Sequence, residues 1–118
     1  MTFDAGVFIA LEKKSTRRVV VAIVEELLKE QQPARTTEAV LAQAWRDPAR
    51  QVALGRLARG IDALPFGDAQ AIGMRCAKTK TADVVDSDLA IWADVLDDTI
   101  LTTDPNDMKK LGANFVEL

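Results

Sequence analysis

Asp83 and Asp86 stand at the head of an apolar stripe, Val85, Leu89, Trp92 and Leu96, whose last three members recur at helical spacing. Asp104 follows Thr99-Ile100-Leu101-Thr102, a short run with the composition of a buried strand, and Pro105 then opens another helix. Asp4 closes the first short strand, Met1 to Asp4. In an open parallel sheet, strand ends and helix starts border the crevice where ligands bind. If the sheet is parallel, Asp4 and Asp104 emerge at its carboxyl edge and Asp86 starts a helix there. Three like charges so placed repel unless a cation lies between them. Oxygen-only ligation is the preference of Mg²⁺ or Mn²⁺. An ion held in this way can activate water and stabilise a phosphodiester transition state, which is metal-dependent nuclease chemistry. Taken singly, each aspartate has a plainer reading as a helix N-cap: Asp4 before the first helix, Asp83 or Asp86 before the next, and Asp104 with Pro105 and Asp107.

Composition excludes much else. The chain has 118 residues, no His and a net charge of −3. There is therefore no Ser-His or Cys-His pair and no histidine zinc site, so reactive chemistry rests on carboxylates, lysines or hydroxyls. The acidic balance argues against a broadly basic nucleic-acid binder but allows a local basic patch. A lone cysteine, Cys76, cannot form an internal disulfide and fits a reducing compartment; it is expected to be a small buried hydrophobe. The longest aliphatic run, Val19 to Val24, is too short for a bilayer. With no leader pattern at the start, a cytoplasmic protein without membrane association is expected.

The elements that must position these residues alternate. Gly6 permits a tight turn into a helix with Val7, Phe8, Ala10 and Leu11 on its apolar face. Ser15 or Thr16 caps the next, which turns Val20, Ile23, Val24, Leu27 and Leu28 inward and ends at Gln31-Gln32-Pro33. Residues 34–36 form a second strand. Thr37 caps a helix carrying Val40, Leu41, Ala44 and Trp45 to the core, Pro48 interrupts, and a further helix runs from about Ala49 to Arg59 with Gly60 as its stop. Residues 61–65 form the third strand, and Asp68 caps a helix containing Ile72, Gly73, Cys76 and Ala77. Lys78 to Ala82 is a polar loop. The fourth strand precedes Asp104, Gly112 ends the last helix, and residues 114–118 add an edge strand. Trp45 and Trp92 are both expected in the core. The alternation indicates a single α/β domain spanning residues 1–118, with a mainly parallel sheet of roughly five strands.

Four stretches, T-F-D-A-G-V-F-I-A-L-E, V-L-A-Q-A-W-R, T-A-D-V-V-D-S-D-L-A and I-L-T-T-D-P-N-D-M, cover the chain in order. In this set the chain resembles PIN-domain ribonucleases, and among them the small VapC-type toxins of bacterial toxin–antitoxin pairs. The resemblance implies a three-layer α/β/α sandwich holding one or two Mg²⁺ or Mn²⁺ ions, which activate water to cleave single-stranded regions of RNA. By motif, Asp4 is the first metal ligand, Asp86 the ligand in D-x-x-L-A, and Asp104 the ligand after the last long strand. Asp83 is a close accessory ligand, and Thr102 or Thr103 orients a carboxylate or water. A cognate antitoxin and a homodimer are also implied.

Gln43 departs from the pattern, which usually has glutamate there. An amide oxygen can bind Mg²⁺ but brings no charge. Glu38 lies about 140° around the helix from Gln43, and Asp47 about 6 Å further along it, so neither is a clean replacement. This keeps open a catalytically weak module acting through antitoxin binding and dimerisation. A phosphoacceptor receiver domain ranks below both, because Asp4 stands alone and no Lys-Pro pair occurs. Most arginines read as a solvated face; Arg46 and Arg50, beside the Gln43 face, are the expected contacts to RNA phosphates.

Overall fold

Few consecutive apolar residues separate the helical segments, so the strands are short. The computed structural model describes residues 1–118. In chain order it contains β1 (Thr2–Phe3), α1 (Ala5–Ile9), a 3₁₀ turn (Ala10–Glu12), α2 (Lys14–Lys29), β2 (Arg35–Thr37), α3 (Glu38–Ala44) and α4 (Val52–Gly60). Then come β3 (Asp62–Leu64), α5 (Ala69–Thr79), α6 (Val84–Val95), β4 (Ile100–Thr102), α7 (Pro105–Leu111) and β5 (Phe115–Glu117). All strands are parallel, in the order β3-β2-β1-β4-β5, with Thr2 opposite Ile100 and Phe3 opposite Leu101. Helices cover both faces, giving a three-layer α/β/α sandwich. No helix is long and apolar enough to cross a membrane.

The strand order locates the crevice. The chain leaves β1 toward β2 and β3, then returns to β4 on the other side of β1 and continues to β5. With right-handed crossovers, this reversal sends successive helices to opposite faces. The sheet therefore opens between the carboxyl ends of β1 and β4, its topological switch point.

Phe3, Val7, Phe8, Val20, Leu89, Ile100 and Leu101 form the middle of one continuous core. The rings of Phe3 and Phe8 meet edge to face at 6.2 Å, worth about 0.5–1.5 kcal/mol beyond burial. Side-chain caps begin five helices: Asp4, Thr37, Asp68, Asp83 and Asp104 each accept a backbone N–H three residues on, at 2.8–3.3 Å. Each cap is worth about 1 kcal/mol.

Several expectations are corrected. Trp92 and Cys76 are half-buried and outside the core, the Trp92 indole N–H donating to the Pro65 carbonyl at 2.9 Å. Neither Ser15 nor Thr16 caps α2: the N-cap is Lys13, with no side-chain bond, and the Thr16 hydroxyl donates to the Ala10 and Lys13 carbonyls. Leu28 is 70% exposed, one step past the inward stripe. The helix expected from Ala49 starts at Val52, because the Gln51 side chain ties the preceding residues into a turn. Trp45 falls at the C-cap of α3, where the helix has ended, and is 41% exposed.

Candidate active site

Three elements meet at the crevice, and an acidic residue begins each. Asp4 follows β1 and caps α1, Asp83 caps α6 with Asp86 in its first turn, and Asp104 follows β4 and caps α7 with Asp107 in its first turn. Asp4, Asp83, Asp86, Asp104 and Asp107 line one cleft of about 220 Å³, together with Gln43 and Thr103. The capping reading and the cleft reading therefore hold together. The same geometry that spends one carboxylate oxygen on a helix N-terminus turns the group to the sheet edge.

Asp4 is the most enclosed of the five, at 5% exposure. Its Oδ1 accepts the Val7 N–H at 3.3 Å and its Oδ2 accepts the Thr102 hydroxyl hydrogen. Burial raises its pKa, against the opposing pull of Thr102 and the N–H groups of Val7, Gly6 and Thr103. Asp86 is pushed up to about 7, first by burial and then by the charges of Asp83, Asp107 and Asp4. Asp107 is also raised, by desolvation and by Asp104 and Asp83. No Lys or Arg lines the cleft. It is a concentration of negative charge with no cation in its wall, although Lys110 partly offsets Asp107 from outside it.

Thr102 joins two strands of this arrangement. Its hydroxyl donates to Asp4 and accepts the Asp104 N–H at 2.9 Å, so one buried side chain fixes both strand-end aspartates. Thr103 points to the cleft beside Gly6. A Cβ on Gly6 would lie 1.8 Å from Thr103 Oγ1. Gly6 is thus required by close approach rather than by turn geometry.

The donors fit a hard divalent cation: carboxylates, an amide and a hydroxyl, with no nitrogen or sulfur ligand. No three acidic side chains close around a single point as a ready-made cage; they contact one another in pairs instead, Asp83 with Asp86 and Asp104 with Asp107.

Of the residues singled out in the sequence, Asp4, Asp83, Asp86, Asp104, Gln43 and Thr103 share the cleft, and Thr102 lies directly behind it. Glu38 and Asp47 do not reach it, so neither stands in for a glutamate at Gln43. Arg46 and Arg50 are also elsewhere: Arg46 pairs with Glu12, and Arg50 lies 3.5 Å from Asp47. Asp107 was legible only as a first-turn acid. Its place one helical turn after Asp104 was the available signal that it shares that residue's face.

Solved structures share the fold. The chain superposes on VapBC2 from Rickettsia felis, solved bound to a DNA fragment from its promoter, with a TM-score of 0.75, 10% identity and 98% and 96% of the two chains covered. FitAcB from Neisseria gonorrhoeae gives 0.67, 16% identity and coverage of 97% and 94%. PAE2754 from Pyrobaculum aerophilum gives 0.70, 12% identity and coverage of 98% and 87%. The fold is PIN-like. No family model and no curated protein matches the sequence. The PIN-like likeness is thus one of architecture, in which the five-aspartate cleft occupies the switch point between β1 and β4.

Proposed function

We propose that this protein is a metal-dependent endoribonuclease of the toxin–antitoxin kind, with Asp4, Asp86 and Asp104 holding Mg²⁺ or Mn²⁺ and Asp83 beside them. One observation carries the reading: five carboxylates crowd a cleft without a cationic side chain, at the switch point of a PIN-like sheet. A phosphodiester is itself anionic, so such a cleft accepts it only with a cation present.

When bound, the ion supplies charge neutralisation and a water of lowered pKa. The chain's own contribution is positional. Thr102 holds Asp4 and the backbone of Asp104 in fixed relation, while the caps at Asp4, Asp83 and Asp104 lock their side chains onto helix ends. An ionised carboxylate has about four lone-pair sites, so a capping aspartate retains acceptors for a metal. The Gln43 amide and the Thr103 hydroxyl line the cleft, where they can orient a phosphate oxygen or a water.

For the antitoxin we propose the groove between α2 and α4, about 470 Å³, lined by apolar residues including Val20, Val24 and Leu57 and by Arg17, Arg50 and Arg56 against a single acid, Glu25. It suits an amphipathic segment carrying acidic residues.

The test is incubation of partner-free protein with single-stranded and structured RNAs, with Mg²⁺, Mn²⁺ or EDTA. Cleavage is expected with either metal and not with EDTA. Asp4→Asn and Asp86→Asn should each lower it by roughly 100-fold or more, the scale of losing a transition-state charge contact, while circular dichroism stays unchanged. A variant that cleaves at the wild-type rate would remove the site assignment. Gln43 sustains a second reading, a catalytically weak module working through its partner. Calorimetry showing no Mg²⁺ or Mn²⁺ binding would favour it.

A further inference from the structure

The protein carries a second charged concavity, of opposite sign. The carboxyl ends of α5 and α7 come together, held by Arg75, whose guanidinium donates to the Leu111 carbonyl at 2.6 Å and pairs with Asp94 at 2.8 Å. Between these helix ends lies a groove of about 480 Å³ lined by Lys78, Lys80, Lys109 and Lys110, with no acidic residue in its wall. More than half of the chain's lysines are gathered here in a protein of net charge −3. None of the four makes an ion pair.

Helix-dipole compensation accounts for part of this, since Lys78, Lys109 and Lys110 sit in last turns. It does not account for Lys80, which lies beyond α5 in the left-handed conformation. Nor does it explain why two helices direct their lysines into one shared concavity. The four ammonium groups repel one another, only Lys110 having a carboxylate, Asp107, within its field, and are relieved by a polyanion.

The groove adjoins the acidic cleft. α7 begins at Asp104 and ends beside the groove, with Lys110 about 9 Å along the axis from Asp104 at 1.5 Å per residue. The chain leaving α5 reaches Asp83 three residues after Lys80. Arg46 and Arg50, by contrast, have carboxylate partners and lie outside the cleft.

We infer that the lysine groove between α5 and α7 binds the phosphate backbone of single-stranded RNA and delivers the adjoining linkage to the aspartate cleft. This rests on the nuclease reading for the choice of RNA as the polyanion and for its delivery to the cleft; the lysine groove itself calls only for a chain of phosphates or other anions. Lysines supply point charges without base readout, so binding is sequence-tolerant and strongly salt-dependent.

The test is fluorescence anisotropy of a labelled single-stranded oligoribonucleotide in EDTA, from 50 to 200 mM salt. It compares wild type, Lys78→Gln/Lys80→Gln/Lys109→Gln/Lys110→Gln, the same four positions changed to Arg, and Arg46→Gln/Arg50→Gln. With a salt slope of about −0.7 per neutralised phosphate on single strands, four contacts make wild-type affinity fall roughly 50-fold more across that range than that of the quadruple Gln variant. The Arg set should restore binding, which excludes misfolding as the cause, and Arg46→Gln/Arg50→Gln should bind as wild type. Equal affinities and slopes for wild type and the Gln set, or no binding by either, would overturn the inference. So would a wild-type preference for duplex DNA or for a poly-glutamate peptide. Binding that follows this pattern without cleavage in Mg²⁺ would leave the groove standing and remove the nuclease reading. Cleavage with unchanged kcat/KM in the Gln set would do the reverse.

Discussion

At the scale of single residues, the acidic cleft makes stability depend on pH in a direction unusual for carboxylates. Asp86 titrates near 7 in the folded protein and near the ordinary 3.8 when unfolded. The folded state therefore holds the proton more tightly. The stabilisation is fully present below about pH 4 and is lost as pH rises through 7. Asp4 and Asp107 are shifted the same way. Glu12 and Asp98 are held low, Glu12 by Gln51 and Arg46, and Asp98 by the N-terminal ammonium, Thr2 and Thr99 against the effect of burial. Their contribution is in place above about pH 5 and is lost as pH falls through the ordinary values of 4.5 and 3.8. Melting temperature in EDTA should therefore fall from pH 5 to pH 7.5 for wild type and visibly less for Asp86→Asn. Parallel curves would mean that the cleft charges are not crowded. Gln43 tests the same crowding from the other side. Gln43→Glu should lower the melting temperature slightly in EDTA, and saturating Mg²⁺ should then raise it by more than in wild type, because a carboxylate binds a hard cation better than an amide. Equal Mg²⁺-induced shifts would place Gln43 outside the metal's reach.

At the scale of elements, the chain between α3 and α4 is organised by one buried glutamine. Gln51 Oε1 accepts the N–H groups of Arg46 and Asp47, both at 2.9 Å, while Nε2 donates to the Ala44 carbonyl at 2.9 Å and to Glu12 Oε1 at 2.8 Å. Gln51→Ala removes all four bonds and leaves the buried Ala44 carbonyl without that donor. A loss of about 2–3 kcal/mol is expected, with faster tryptic cleavage at Arg46 and Arg50. Unchanged urea midpoint and digestion rate would show that the connection is held otherwise. This is also where the sequence was least legible. Thr37, Asp68 and Asp104 announced their helices because a cap is a local bond between near neighbours. Gln51 announces nothing, since its partners Glu12 and Ala44 are assembled only by the tertiary fold. Trp45 misled for a related reason: apolar spacing continued past the point where Gln51 ends the helical path.

At the scale of the whole molecule, strand alternation sufficed for a parallel sheet, and helix-start aspartates for an acidic crevice. The order β3-β2-β1-β4-β5 was not readable from periodicity, because strands of two or three residues carry too little pattern to fix their neighbours. The lysine groove was equally hidden. Lys78 and Lys80 read as a polar loop and Lys109 and Lys110 as a helix end, and only the docking of α5 against α7 makes them one surface.

The central position of β1 bears on synthesis. Phe3 has no β4 neighbour, and Asp4 no Thr102 hydroxyl, until 98 further residues have been added. At about 5–20 residues per second, the opening strand waits roughly 5–20 s for its partner. During that interval the α1–α4 half can begin to gather while the cleft does not yet exist. A nascent chain short of Thr102 therefore lacks the hydroxyl that ties Asp4 to Asp104, and with it the site.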